Sequence, residues 1–554
     1  MTIYDAEKTG TDPPAIVPVE SKADRDLAAA TANLAHTTEG EHGTRGVLKP
    51  RVVSMIAIAG CIGTGLFLGS GAALVNGGPV GFFLGYTIMG CLVGMMMYTL
   101  GEMTCFAPNI GGFIEMGNRY IDPAYGAMMG LNYIFQVGIG VPAELSALST
   151  LVGYWDKNHA HAGAYITVFL VWAVASNVVG VRWYGEIEFF FACLKFGTLV
   201  GLILFGLIAD LGGVPPKREF IGGKHWRSDP WNDNFKGLGL PVNLSRFLGF
   251  WSVFTKAAFA YATTEGVAVL AGEAHNPRKT MRTAIRTVFY RIVGIYMLSV
   301  LVISLNVSQH SPELLSAVAL GGHDAASSPF VVICTQTGVR VLPHIINAVV
   351  VTSAASSTAE NLYACSRTMV ALARQRALPR IFLKTDRLGT PIVAVGAASA
   401  IGLLAYLSLS SGSNQVFLWL SNLGALSSLI NWTSICLCFL RFQKALRVQG
   451  IDRRKLPLRS WCQPYMAWVC IVFFSLVVVF SSFTAFLGGF KVIDFVAGYI
   501  TLPFLLVFFV GYKVLRKTKM VDLNEIDLSD GPAEALEGTR YDRWGEAQVA
   551  MYTQ

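Results

Sequence analysis

Long apolar segments alternate with shorter polar connections along most of this chain. A helix needs about 20 predominantly apolar residues to cross the hydrocarbon core of a bilayer. By this criterion the pattern predicts twelve membrane spans, numbered in chain order. Spans 1 to 6 are predicted at 51–75, 80–106, 124–154, 163–180, 187–209 and 247–271. Spans 7 to 12 are predicted at 285–306, 343–366, 391–409, 415–440, 463–487 and 493–513. The fold class is therefore an all-α integral membrane protein.

The two ends of the chain are polar and frame a membrane domain predicted at 47–519. Residues 1–46 lack the apolar core of a signal peptide and are predicted to form a disordered cytosolic tail. Residues 520–554 are predicted to form a second cytosolic tail of the same kind.

Composition supports this assignment, because 53% of the residues are hydrophobic and 14% are charged. A soluble globular chain carries about 25% charged residues. The net charge of +8 then concerns topology and not nucleic acid. Lys and Arg concentrate in the connections that a cytosolic N-terminus places inside, which predicts that both termini are cytosolic. The ten cysteines form no CxxC pair or Cys/His cluster, so no metal site is expected. The sequence also shows no nucleophile–base constellation or cofactor motif, so no cofactor or enzymatic activity is expected.

Span 1 contains an unusual glycine cluster, "GCIGTG", which extends from Gly60 to Gly65. A phosphate-binding loop would need Lys-Ser/Thr after the last glycine, but Leu66 and Phe67 follow instead. Helix packing through Gly65 and Gly69 remains open as an explanation. The other explanation is a deliberate interruption of the span, since glycine disfavours helix by about 1 kcal/mol.

Span 6 carries a matching polar interruption at Ala262–Gly266, "ATTEG". Each interruption lies in the first span of a five-span unit, here 51–209 and 247–440, with 463–513 supplying two extra helices. Paired interruptions of this kind indicate an inverted-repeat transporter with a binding site at the membrane midplane. An unwound segment frees backbone groups, and the helix that follows presents its positive end to an anion such as a carboxylate.

Charged residues inside apolar spans are energetically costly and usually functional. Glu144 in span 3, Lys195 in span 5 and Glu265 in the span 6 interruption are predicted to be functional. Lys256 is an open case, since its stem could reach the outer interface. Glu360 is interpreted as a solvated residue near the inner end of span 8.

Several stretches, in order, resemble the fungal (yeast-type) amino-acid permeases of the amino acid–polyamine–organocation superfamily. They are "LKPRVVSMIAIAGCIGTGLFLGSGAAL", "LGEMTCFAP", "VPAELSAL" and "AGEAHNPRKT". The stretch "SPFVVICTQTGVRVLPHIINA" is most similar to the dicarboxylic amino-acid permease branch. The resemblance implies a leucine-transporter-like fold, with a five-plus-five inverted repeat and two C-terminal helices.

The resemblance also implies where an amino acid would bind. The backbone of span 1 would hold the substrate carboxylate, with the positions Gly60, Ile62, Gly63, Thr64 and Gly65. Contacts to the amino group and the side chain would come from Glu144, Tyr261, Thr263, Thr264 and Glu265. Thr263 departs from the family pattern, in which a glycine precedes the Thr-Glu pair of span 6.

Proton coupling is likewise an implication of the resemblance. Lys195 matches a span 5 lysine that replaces the sodium ion of sodium-driven relatives, and Ser356 falls beside it. An ammonium can hold carbonyl oxygens much as a cation does. The hypothesis is that protonation of Lys195 or Glu265 couples substrate binding to the proton gradient. Lys256 is a speculative partner for a side-chain carboxylate.

The sequence therefore predicts a proton-coupled amino-acid symporter of the fungal plasma membrane, with acidic amino acids as the favoured substrates. A vacuolar or other endomembrane location is the alternative. The rival functions are a broad-range or neutral, proline-type permease and a non-transporting amino-acid sensor. The expected partners are the amino acid, protons and membrane lipid.

Overall fold

A computed structural model of the protein describes residues 62–108, 112–156, 158–179, 181–268, 277–319, 328–386 and 389–532. These residues are predominantly helical and contain no β-strand. The main helices of the first half are Gly65–Gly69 (a π-helix), Ser70–Phe106, Phe113–Tyr120, Pro123–Val152, Ala162–Val178, Val181–Asp210 and Val242–Ala260. Those of the second half are Pro277–Arg291, Ile292–Met297 (a π-helix), Leu298–Asn306, Pro312–Ala319, Pro329–Gln336, Leu342–Arg374, Ile392–Gly402, Ser413–Val448, Tyr465–Val479, Val492–Tyr499 and Thr501–Arg516.

Each of the twelve predicted spans overlaps one or more of these helices. Seven helices in the described part of the chain are long and apolar enough to cross a membrane. The bent pair Val492–Tyr499 and Thr501–Arg516, with an angle of 43°, makes an eighth. Span 8, the helix Leu342–Arg374, is long but carries many buried serines and threonines, which lower its hydropathy. The all-α, multi-span membrane architecture is therefore confirmed.

Spans 1 and 2 join at a kink and not through a loop. Gly78 has a φ of 71°, a conformation that glycine adopts without strain, and Pro79 follows it. The long connection between spans 5 and 6 packs onto this kink, where the Val80 N–H donates to the Pro230 carbonyl at 3.0 Å. The Asn232 side chain also donates to the Val75 carbonyl at 2.9 Å. The connection thus covers the kink at one end of the membrane domain.

Span 3, the helix Pro123–Val152, lies at the centre of the bundle. Its start is fixed by Pro123 at the first helical position and by Asp122, whose carboxylate accepts a hydrogen bond from the Ala124 N–H at 2.8 Å. It packs against both span 8 and span 10, the latter formed by Ser413–Val448. Because span 3 is almost wholly buried, its polar side chains face protein and not lipid.

The C-terminal segment, residues 521–531, is ordered and packs onto one end of the bundle. This corrects the expectation of a disordered tail beginning near residue 520. Ile526 and Leu528 are buried, and the Val521 N–H donates to the Ile121 carbonyl at 2.9 Å. Arg119 forms ion pairs of 2.6 Å with two aspartates of the segment, Asp527 and Asp530. Apolar contacts, a backbone hydrogen bond and two ion pairs therefore hold the segment against the bundle.

Candidate functional site

Non-helical residues are present at both predicted interruptions within the described part of the chain, and the two segments lie against each other. In span 1, Ile62 and Gly63 are non-helical, and the helix begins at Thr64. In span 6 the helix ends at Ala260, and the chain turns before it becomes helical again. A Cβ at Gly65 would lie only 2.8 Å from the Ala260 Cα, so glycine is what allows the two backbones to approach this closely. Gly60 lies outside the described residues.

A small cavity of about 50 Å³ lies between the two interruptions. This volume holds a few water molecules and is well below the roughly 300 Å³ of a typical ligand pocket, so the cavity is too small for a typical ligand in this conformation. Predicted site residues in its wall are Gly63, Gly65, Glu144 and Thr263. The remaining lining residues are Gln136, Gly140, Phe259, Ala260, Ala262, Ser357, Glu360, Asn361 and Gly424.

Glu144 reaches from span 3 to the start of the span 1 helix. Its Oε1 accepts a hydrogen bond from the Thr64 backbone N–H at 3.4 Å, and a Cβ at Gly63 would lie 2.7 Å from the same oxygen. The carboxylate thus occupies the positive N-terminal end of the helix, where a substrate carboxylate is expected to bind. Ser357 of span 8, buried in the cavity wall, has no hydrogen-bond partner for its hydroxyl among the described residues. Polar capacity for a ligand is therefore present on two sides of the cavity.

Freed backbone groups of the interruptions are satisfied by neighbouring side chains. Ser353 of span 8 donates to the Ile62 carbonyl at 3.0 Å. In span 6, the Thr264 hydroxyl donates to the Tyr261 carbonyl at 2.6 Å and accepts from Arg291 at 2.8 Å. These bonds stabilise an unwound segment inside the membrane domain, where unsatisfied groups would be costly.

Tyr261, Thr264 and Glu265 do not line the cavity, although the sequence analysis groups them with the substrate contacts. The Tyr261 hydroxyl donates to the Tyr86 carbonyl at 3.1 Å, away from the cavity. Their geometry is that of groups that hold the span 6 interruption in place.

Glu265 is completely buried and accepts a hydrogen bond on each carboxylate oxygen. Gln136 of span 3 donates to Oε1 at 2.7 Å, and Trp432 of span 10 donates to Oε2 at 2.8 Å. Asn431 in turn donates to the Gln136 side-chain oxygen at 2.7 Å. The network connects the interruption of span 6 to spans 3 and 10.

Lys195 and Ser356 both contact a third residue, Glu188, which the sequence analysis missed. Glu188 lies 3.7 Å from the Lys195 ammonium and accepts from the Ser356 hydroxyl at 2.7 and 2.6 Å. Lys195 and Glu188 are both fully buried, and the ammonium makes no hydrogen bond within the described residues. The seven-residue spacing, two helical turns, places both charges on one face of span 5 and is the signal that could have revealed the pair.

Lys256 does not line the cavity. It lies one helical turn before the cavity residue Ala260, and its ammonium donates to the Asn422 side-chain oxygen of span 10 at 2.9 Å. This contact joins spans 6 and 10 beside the cavity.

Glu360 does not lie at the inner end of span 8, where the sequence analysis interpreted it as a solvated residue. Span 8 extends from Leu342 to Arg374, so Glu360 lies near its middle, and its side chain lines the cavity together with Glu144. The error arose because the helix continues well beyond its predicted end at residue 366.

Comparison with known proteins gives one consistent result. The family described as "Amino acid permease" matches residues 52–525. The dicarboxylic amino acid permease of Saccharomyces cerevisiae is 38% identical over 87% of this chain and 79% of its own. The general amino-acid permease of the same yeast is 37% identical over 88% of this chain and 80% of its own. The proline-specific permease of Emericella nidulans is 35% identical over 90% of this chain and 91% of its own.

Proposed function

Since this chain belongs to the amino acid permease family, we propose that it takes up amino acids together with protons across the plasma membrane, with both termini in the cytosol. Members of the family are transporters and not enzymes, and the substrate is an amino acid. The observation that carries the proposal is the cavity between the interruptions of spans 1 and 6, with a carboxylate at the N-terminal end of the span 1 helix.

Binding would use the N-terminal end of the span 1 helix, where Glu144 now accepts a hydrogen bond from Thr64. The backbone from Gly60 to Gly65 would hold the substrate carboxylate, and Glu144 would turn to the substrate ammonium. Opening of the cavity toward one side of the membrane at a time would then carry the substrate across. The small volume fits a closed intermediate of such a cycle.

Lys195, Glu188 and Ser356 support proton coupling. Two buried charges 3.7 Å apart, with an ammonium that makes no hydrogen bond among the described residues, form an energetically costly arrangement. Glu265 stays a second candidate for coupling, although the two donors that fix it favour a role as an anchor of span 6.

Acidic amino acids are the proposed substrates, on the strength of the similarity to a dicarboxylic amino acid permease. Lys256, one turn from the cavity, would exchange its contact with Asn422 for the substrate's side-chain carboxylate. The similarity to general and proline-specific permeases favours a broad or neutral range as the alternative.

The test is uptake of labelled aspartate, glutamate, proline, arginine and leucine by yeast that lacks its own permeases. We expect accumulation of aspartate and glutamate above all, stronger at acid than at neutral pH and abolished by a protonophore. Accumulation that resists the protonophore would refute proton coupling, and preferred uptake of proline or leucine would refute the acidic preference. Lys195→Met is expected to abolish accumulation driven by the pH gradient, while Lys195→Arg, which keeps the charge, tests whether an exchangeable proton is needed.

A further inference from the structure

Glu360 is a second carboxyl group in the wall of the cavity. It lies one helical turn after Ser356, whose hydroxyl binds Glu188, and it shares the cavity with Glu144. Glu360 thus lies between the cavity, which would hold the substrate, and the buried Lys195–Glu188 pair of span 5.

The charged groups that act on Glu360 come from several spans. They are Glu144 of span 3, Glu188 and Lys195 of span 5, and Arg291 of span 7. Glu144 accepts from the Thr64 N–H, Glu188 and Lys195 form an ion pair, and Arg291 donates to the Thr264 hydroxyl. The region therefore contains several carboxylates close to two cations.

Glu360, which is partly exposed in the cavity wall, differs from the buried carboxylates in its lack of donors. Glu144 accepts from a backbone N–H, Glu188 from Ser356, and Glu265 from two side chains. Glu360 has no hydrogen bond or ion pair among the described residues. Holding a negative charge there without a donor is costly, whereas a protonated carboxyl is neutral and can itself donate.

We propose that Glu360 is the group that binds the transported proton, while the Lys195–Glu188 pair contributes to coupling through its charges and does not itself carry the proton. The inference rests on the proposed function and names the residue that would carry the proton. The proton enters with water from the side to which the cavity is open, forms the O–H of the Glu360 carboxylic acid, and leaves to water when the cavity opens to the other side. No other bond forms or breaks.

Electrostatic repulsion then couples the proton to the substrate. With Glu360 ionised, two carboxylates face a substrate that brings at least one more negative group. Protonation of Glu360 leaves Glu144 as the single carboxylate in the wall, which matches the substrate ammonium. By reciprocity the substrate increases the proton affinity of Glu360 by the same factor as the proton increases the affinity for substrate.

The test compares the full-length protein with Glu360→Gln, a neutral mimic of the protonated acid, in permease-deficient yeast with labelled aspartate. If one proton binds with each substrate, the KM of the wild type rises by up to about tenfold per pH unit on the alkaline side. Glu360→Gln is expected to exchange internal for external aspartate, to show a KM that does not change with pH, and to lose uphill accumulation. Glu360→Asp is expected to keep accumulation.

Several outcomes would overturn the inference. One is Glu360→Gln with wild-type pH dependence and accumulation. Another is Glu360→Gln at normal surface abundance without exchange activity, which would assign the residue to substrate binding. If Glu360→Gln does not reach the surface, Glu360→Ser is used with the same expectations. Wild-type accumulation that resists a protonophore would refute the proposed function itself, and so the two failures are distinguishable.

Discussion

Gly65→Ala adds one methyl group where the interruptions of spans 1 and 6 meet. The new Cβ would lie 2.8 Å from the Cα of Ala260, 3.1 Å from a ring carbon of Phe259 and 3.2 Å from the Ala260 nitrogen. Ordinary Cβ contacts begin at 3.4 Å, so the shortest of these is 0.6 Å too close. The obstructing atom belongs to the backbone, and no rotamer change can relieve it. Span 1 must therefore move away from span 6.

The expected effect follows from the cost of overpacking, about 1 to 3 kcal/mol for an extra methyl group in a tightly packed site. If this cost falls on the closed, substrate-holding state, the KM for uptake rises by about 5- to 150-fold. The assay is the concentration dependence of labelled amino-acid uptake in permease-deficient yeast, normalised to the amount of protein at the cell surface.

Gly69→Ala is the matched control, because it lies in the same π-helical segment but its Cβ would meet nothing within 4 Å. Alanine is also the better helix former by about 1 kcal/mol. We expect wild-type uptake from this variant. A wild-type KM for Gly65→Ala, or equal damage from both substitutions, would refute the role of the close approach and favour a general effect of glycine on the span.

Three further predictions concern contacts outside the cavity. Trp432→Phe removes one of the two donors to Glu265, and a buried acceptor left without a partner costs about 1 to 3 kcal/mol. We therefore expect a lower Tm of the purified protein and slower uptake. An unchanged Tm and uptake rate would contradict the anchoring role. The hydrogen bond from the Tyr165 hydroxyl is the main reason why the pKa of the Asp156 carboxyl lies well below its usual range. Its contribution to stability is therefore present above the unfolded value of about 3.9 and is lost only as the pH falls through the lower folded value. Asp156→Asn should lower Tm at neutral pH and leave the pH profile of uptake unchanged; an unchanged Tm would contradict this. Arg119→Gln removes both ion pairs to the C-terminal segment, each worth about 1 kcal/mol or less, and should accelerate proteolysis of that segment in inside-out vesicles, whereas wild-type cleavage rates would show that the apolar contacts suffice.

Hydropathy was enough to predict an all-α protein with multiple membrane spans, since an apolar length and a polar interruption are both properties of the local sequence. The positions of the two interruptions, around Gly63 and Thr263, follow directly from composition. Which way a side chain faces depends instead on the rotation of its helix against its neighbours. For this reason the sequence analysis assigned Glu360 to the inner end of span 8 and did not predict that Glu265 accepts hydrogen bonds from spans 3 and 10.

Partners across the bundle were also beyond the reach of a local pattern. Lys195 was recognisable as a buried charge and its seven-residue spacing from Glu188 was a local signal, but the hydrogen bond from Ser356 of span 8 to Glu188 depends on packing between spans. The prediction of disorder at the start of the C-terminal segment was wrong for a similar reason. The segment is polar overall, and Ile526 and Leu528 stabilise it only when the bundle provides a surface that buries them.

Thr263 holds a left-handed backbone conformation, with a φ of 64°, in the wall of the cavity. For a residue other than glycine this conformation costs about 1 to 2 kcal/mol, and a β-branched side chain suits it poorly. Enlarging a pocket by a large-to-small substitution normally lowers stability. Here the first step toward a roomier pocket, Thr263→Gly, relieves backbone strain and removes a side chain from the wall at once. Selection for bulkier substrates can therefore begin with a substitution at this position that does not lower the free energy of unfolding.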